Sequence, residues 1–187
     1  LADDGSVGRG REGWHFKLAG SLPVESEYSR GRSNGRASRS RFMKSIKSQK
    51  TIAASVEEVF AFVADLKNSA KRIPSISGMR ILTRGKVKVG TKFRQTRSIF
   101  GTKQTQDMEI VEFDPPLGYA ARAETLGCEL LARIELEPVG EKTRVRAEVR
   151  VTVNGLAARL AAGMVLKGAK VAMKEDLEAM KAALETG

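Results

Sequence analysis

From residue 43 the chain alternates between two hydrophobic periods. The run 46–52 reads as a strand, and Ser55-Val56-Glu57-Glu58 follows as a capping box: Ser55 accepts from an amide of the first helical turn and Glu58 reaches back. Val56, Val59, Phe60 and Val63 then recur at helical spacing, which predicts a short helix. The stretch 65–76 continues as a second short helix or turn ended by Pro74. Beyond it the period falls to two. Strand-like runs occupy 79–83, 91–99, 103–113, 119–126, 128–137 and 143–153, with Gly85, Gly90, Gly101, Asp114-Pro115-Pro116, Gly127 and Gly140 as reversal signals between them.

The last two runs show which way they face. Val145, Ala147, Val149, Val151 and Val153 alternate with Arg144, Arg146, Glu148 and Arg150. Cys128, Leu130, Ala132, Ile134 and Leu136 alternate with Glu129, Arg133, Glu135 and Glu137. One face is core and the other is wet, as in an antiparallel sheet covered on one side. After Asn154-Gly155, residues 156–185 are rich in Ala, Leu, Met, Lys and Glu. An apolar stripe of Leu166, Ala169, Met173, Leu177, Met180 and Leu184 is continued toward the start by Leu156, Leu160 and Met164. This predicts one helix about 45 Å long at ~1.5 Å per residue. The order implies an α+β fold in which a curved antiparallel sheet of about seven strands wraps around the long C-terminal helix, with two short helices after the first strand. A strongly curved sheet does not close on one helix along its whole length, so a cavity between them is expected.

Composition bounds what such a cavity can do. The 187 residues are 41% hydrophobic and 5% aromatic, with no apolar run of the ~20 residues that cross a bilayer. Cys128 is the single cysteine, so no intrachain disulfide forms, which fits a cytoplasmic protein. The single histidine, His15, leaves no histidine partner for a nucleophile in the patterned part and no two-histidine metal site. Neither metal nor cofactor is expected. Residues 1–42 are Gly-, Ser- and Arg-rich without apolar period and read as a disordered N-terminal extension or leader, with 43–187 as the single domain. Gly8, Gly10 and Gly13 match a G-x-G-x-x-G spacing, but neither a strand before nor a helix after them completes a dinucleotide site. The net charge is +11, of which 43–187 carries twenty-five bases against seventeen acids. Its arginines alternate along strands, as a solvated face does, and a ribosome or RNA contact through that face is the rival reading.

If the alternation holds, Phe93, Gln95 and Arg97 share the inner face, as do Tyr119, Ala121 and Ala123. Small residues at Ala121, Ala123 and Ala132 leave volume beneath the helix. Phe62, Met108, Leu130, Leu160 and Met164 supply apolar lining, and Gln95, Arg97, Gln106, Glu112 and Tyr119 are the polar groups able to orient a carbonyl or carboxylate. An acid or base for catalysis reduces to Glu112, Tyr119 or a lysine, with no diagnostic pair, so catalytic residues stay unassigned. Cys128 is expected as a buried, inert thiol. Ile99 and Phe100 form an apolar hairpin tip suited to a lid, a membrane-touching tip, a partner contact or an ordinary packed turn.

Three segments, Ile52-Ala53-Ala54-Ser55-Val56-Glu57-Glu58-Val59-Phe60-Ala61-Phe62-Val63-Ala64-Asp65, Val89-Gly90-Thr91-Lys92-Phe93 and the run from Met108 through Asp114-Pro115-Pro116 to Tyr119, together with the long terminal helix, resemble the START-like superfamily. Within it, the chain looks like the polyketide cyclase/dehydrase and lipid-transport group. The resemblance covers nearly all of 43–187 and implies the helix-grip fold with a cavity hosting lipids, polyketides or plant hormones. It extends to coenzyme-associated partners and ribosome-binding bacterial proteins. The leading expectation is therefore a monomeric or homodimeric module that binds a hydrophobic small molecule, carrying an anionic group in one version. The alternatives are a metal-free cyclase/dehydratase and a ribosome or RNA-associated module.

Overall fold

A computed structural model describes residues 42–153 and 156–186. The extension expected over 1–42, with His15 and the glycine triplet, lies outside the described residues except for Phe42, as does the Asn154-Gly155 turn. The elements run β1 (Phe42–Ile52), α1 (Val56–Ala64), a 3-10 turn (Leu66–Asn68), α2 (Ser69–Arg72), β2 (Ile76–Ile81), β3 (Lys92–Ile99), β4 (Thr102–Asp114), β5 (Gly118–Thr125), β6 (Cys128–Val139), β7 (Lys142–Val153) and α3 (Leu156–Glu185). The strands form one antiparallel seven-stranded sheet in the order β1-β7-β6-β5-β4-β3-β2. The meander from β2 to β7 thus ends beside the first strand.

Local chemistry explains the boundaries. Ser55 Oγ accepts from Glu58 N at 3.3 Å while Ser55 N donates to Glu58 Oε2 at 2.8 Å, so the box starts α1 where the pattern places it. Strand β2 begins at Ile76, three residues earlier than the pattern suggests. Ile76 pairs with Arg97 and a bulge follows before Gly78, so cross-strand pairing with β3 takes residues that local spacing assigns to a turn. The β3–β4 and β5–β6 hairpins close through Phe100-Gly101 and Leu126-Gly127. All four residues have positive φ: 51° and 75° in the first turn, 49° and 72° in the second. Such turns match the right-handed twist of the flanking strands. Gly118, at φ 141°, has a different reason: a Cβ there would stand 2.1 Å from the carbonyl oxygen of Ile134.

The apolar core falls into three clusters. Ile52, Val59, Phe62, Leu136 and Val145 pack with Met173, Leu177 and Met180 of α3. Cys128, Leu130, Val151 and Val153 pack with Ala162 near the start of α3. The third cluster, Leu66, Phe93, Met108, Ile110, Ala121 and Ala123, has no α3 residue in it. The helix therefore lies directly on the β1, β6 and β7 side of the sheet and shares no apolar core cluster with β3, β4 and β5. No helix among the described residues is long and apolar enough to cross a membrane.

Candidate functional site

The space left beneath α3 is a cavity of about 590 Å³, within the range of small-molecule sites. Its floor is the inner face of the sheet. Phe93, Gln95 and Arg97 come from β3, Met108 from β4, Tyr119 and Ala121 from β5, and Leu130 and Ala132 from β6. Phe62 closes one side from α1, and its ring is backed by the Arg72 guanidinium, 4.3 Å from the ring centre. Arg72 is held in turn by the carbonyls of Phe62 and Asp65, at 3.1 and 2.8 Å. Across the top run Met164, Ala169, Ala172, Met173 and Leu177 of α3.

The helix touches β3 at two places on this side. Near the open end, Gly168 passes Ile99 so closely that a Cβ on Gly168 would lie 3.0 Å from the isoleucine methyl. Deeper in, Arg97 forms a two-pronged ion pair with Asp176, Nη1 to Oδ1 at 2.8 Å and Nη2 to Oδ2 at 2.7 Å. Arg97 Nε donates to Gln95 Oε1 at 2.8 Å and Nη1 to Ser75 Oγ at 2.9 Å. Ser75 Oγ donates to Asp176 Oδ1 at 2.9 Å. Side chains of the pair are only 16% and 23% exposed, so water screens them weakly. A guanidinium on the inner face is tolerable because a matching carboxylate and two neutral acceptors surround it.

Tyr119 borders the same cluster. Its phenol is pushed up to about 12, chiefly by burial; Arg97 pulls it down and Asp176 pushes it up. No hydrogen bond engages its hydroxyl among the described residues, and the residue lines the cavity. At neutral pH it is a protonated donor without an acceptor.

Three large apolar residues frame the mouth. Phe100 at the β3–β4 tip, Leu126 at the β5–β6 tip and Met164 on α3 are 59%, 59% and 60% exposed, and all three line the cavity. Lys167 lies with its ammonium 5.6 Å from the centre of the Phe100 ring. Met164, expected on the buried stripe of α3, is thus a rim residue, because α3 stands off the sheet at this end.

Several sequence expectations fall elsewhere. Ala123 faces inward but does not line the cavity: it is packed in the third core cluster, across β4 and β6 from Met108 and Leu130. Glu112, named as a cavity carboxylate, is exposed on the outer face and paired with Arg133, because a bulge between Ile110 and Glu112 shifts the alternation of β4. The side chain of Leu160 lies outside the described residues. Gln106 does line the cavity, with its amide toward Met108 Sδ at 3.8 Å. Cys128 is buried, and burial pushes its thiol up. The outer-face arginines are engaged: Arg144 and Arg146 with Glu137, and Arg150 with Glu148. Asp176 and Ser75 escaped the sequence reading. Asp176 carried a usable signal, since it sits three residues after Met173 and four before Met180, on the apolar stripe itself.

Known proteins share this fold. No curated protein matches the chain. Residues 43–185 match the family described as polyketide cyclase/dehydrase and lipid transport. Among solved structures, the aromatase/cyclase Zhui from Streptomyces sp. R1128 superposes with a TM-score of 0.67 at 19% identity, over 77% of this chain and 94% of that one. A START superfamily protein from Mycobacterium smegmatis gives 0.62 at 18%, over 76% and 97%. The di-domain aromatase/cyclase BexL of the BE-7585A biosynthetic pathway gives 0.65 at 19%, over 76% of this chain; the match spans 50% of BexL. At these identities the structures attest the helix-grip fold and nothing finer. With the family match covering the sheet, the short helices and α3, this chain belongs to the polyketide cyclase/dehydrase and lipid-transport family.

Proposed function

We propose that the chain binds a hydrophobic small molecule, lipid-like or polyketide-like, in the cavity between the sheet and α3. The observation that carries this reading is the 590 Å³ space itself, walled by Phe62, Phe93, Met108, Leu130, Met173 and Leu177. An apolar occupant would replace water against these walls and gain ~25 cal/mol for each Å² it removes from solvent. Phe100, Leu126 and Met164 would form the rim through which it passes.

The cyclase/dehydratase alternative draws on the likeness to Zhui, but the cavity offers it little. Glu112 is outside, Asp176 is occupied by Arg97, and Tyr119 keeps its proton far above neutral pH. The ribosome or RNA alternative draws on the net charge of +11, yet Arg144, Arg146 and Arg150 of the outer face already answer to glutamates.

Titration with the neutral dye N-phenylnaphthylamine tests the proposal. Its fluorescence should rise on binding to the whole chain and stay low with Ala132→Phe, which fills the cavity floor from β6. Equal enhancement in both proteins, with the variant folded by circular dichroism, would contradict it.

A further inference from the structure

The charges and donors around the cavity narrow what it accepts. Four charged residues border it: Arg97, Asp176, Arg133 and Glu148. The first two neutralise each other inside. Arg133 and Glu148 occupy outward positions of β6 and β7, where Arg133 meets Glu112 and Glu148 meets Lys47 and Arg150. No cation lining the cavity is left without a counter-charge among the described residues; Lys167, at the mouth against Phe100, stands outside that lining. Arg97 is also close to saturated as a donor. Of its five N–H bonds, four serve Gln95, Ser75 and the two oxygens of Asp176. A carboxylate or phosphate entering here would lose its hydration and find no unpaired positive charge to replace it. Tyr119 is in the opposite condition: it lines the cavity, and its hydroxyl is protonated and without an acceptor among the described residues.

We propose that the ligand is uncharged and carries an acceptor oxygen, a carbonyl or ether, which takes a hydrogen bond from Tyr119. In this arrangement Arg97 and Asp176 tie α3 to β3 and do not act as the ligand's counter-ion. The inference rests on the cavity-binding proposal above, and it replaces the anionic version of the ligand with a neutral one.

Three probes of nearly equal size separate the cases in equilibrium dialysis against the whole chain at neutral pH: ethylnaphthalene, acetylnaphthalene and naphthoate. The acetyl compound should bind about threefold to tenfold more tightly than the ethyl compound, the span of one ordinary hydrogen bond. Naphthoate should bind most weakly. Tyr119→Phe should erase the preference for acetyl over ethyl. Asp176→Asn, which leaves the Arg97 charge uncompensated, should raise naphthoate above both neutral probes. Tightest binding of naphthoate by the unmodified chain, or an acetyl preference that survives Tyr119→Phe, would overturn the inference and leave cavity binding standing. Failure of all three probes to bind would overturn cavity binding itself, and this inference with it.

Discussion

Arg97 and Asp176 show how a charged residue on an inner strand face survives. Removing one partner leaves the other half-buried and uncompensated, so Asp176→Ala should lower stability by roughly 1–3 kcal/mol in urea unfolding, less than a fully buried pair because some water reaches this one. The double change Arg97→Met with Asp176→Leu should recover most of that loss. A single variant as stable as the parent would remove the clamp from the account. Tyr119 makes a separate prediction through pH. Its folded pKa of about 12 exceeds the ordinary phenol value of 10.0, so the folded state holds this proton more tightly than the unfolded chain does. The contribution is present below pH 10 and lost as pH rises toward 12. The parent should therefore lose stability relative to Tyr119→Phe across that window, and parallel curves for the two proteins would show the phenol to be solvated. At this scale the sequence was half legible. Arg97 and Tyr119 follow from strand alternation, whereas Asp176 looks like one more polar helix residue until the sheet beneath it is known, and the bulge that turns Glu112 outward leaves no mark in the pattern.

Secondary-structure elements were legible almost throughout, because each announces itself locally. Ser55 and Glu58 mark the start of α1, and strict alternation sets the register of β6 against β7 from Cys128↔Val153 to Val139↔Lys142. β2 was misplaced because its pairing with β3 decides its start. The two hairpins carry a feature that propensity alone disfavours. Phe100 and Leu126 stand at left-handed backbone positions, where a Cβ costs about 1 kcal/mol and asparagine is better tolerated. Phe100→Asn should accordingly raise thermal stability slightly; a destabilised variant would mean that the phenylalanine packs as core. Gly118→Ala should be severe in comparison, since its methyl would collide with the Ile134 carbonyl. Loss of several degrees in melting temperature is expected, and an unchanged melt would contradict the described close approach.

On the scale of the whole molecule, the decisive fact is asymmetry. α3 shares core clusters with β1, β6 and β7 but none with β3, β4 and β5, and the cavity is the consequence. The order of elements makes such a space expected, but its lining depends on where the helix stands off, which is why Ala123 was assigned to it and packs beside it instead. Charge is likewise a matter of arrangement: a chain of net +11 places glutamates against Arg144, Arg146 and Arg150 of its outer sheet face, and its polar interior cluster closes on itself. The central claim is that the cavity holds a hydrophobic small molecule. Native mass spectrometry of the whole chain as purified, beside Ala132→Phe, followed by denaturing extraction, tests it most directly. The account predicts a neutral, apolar compound bound one to one in the parent and absent from the variant; the same small-molecule adduct on both proteins, or an anion recovered from the parent, would contradict it.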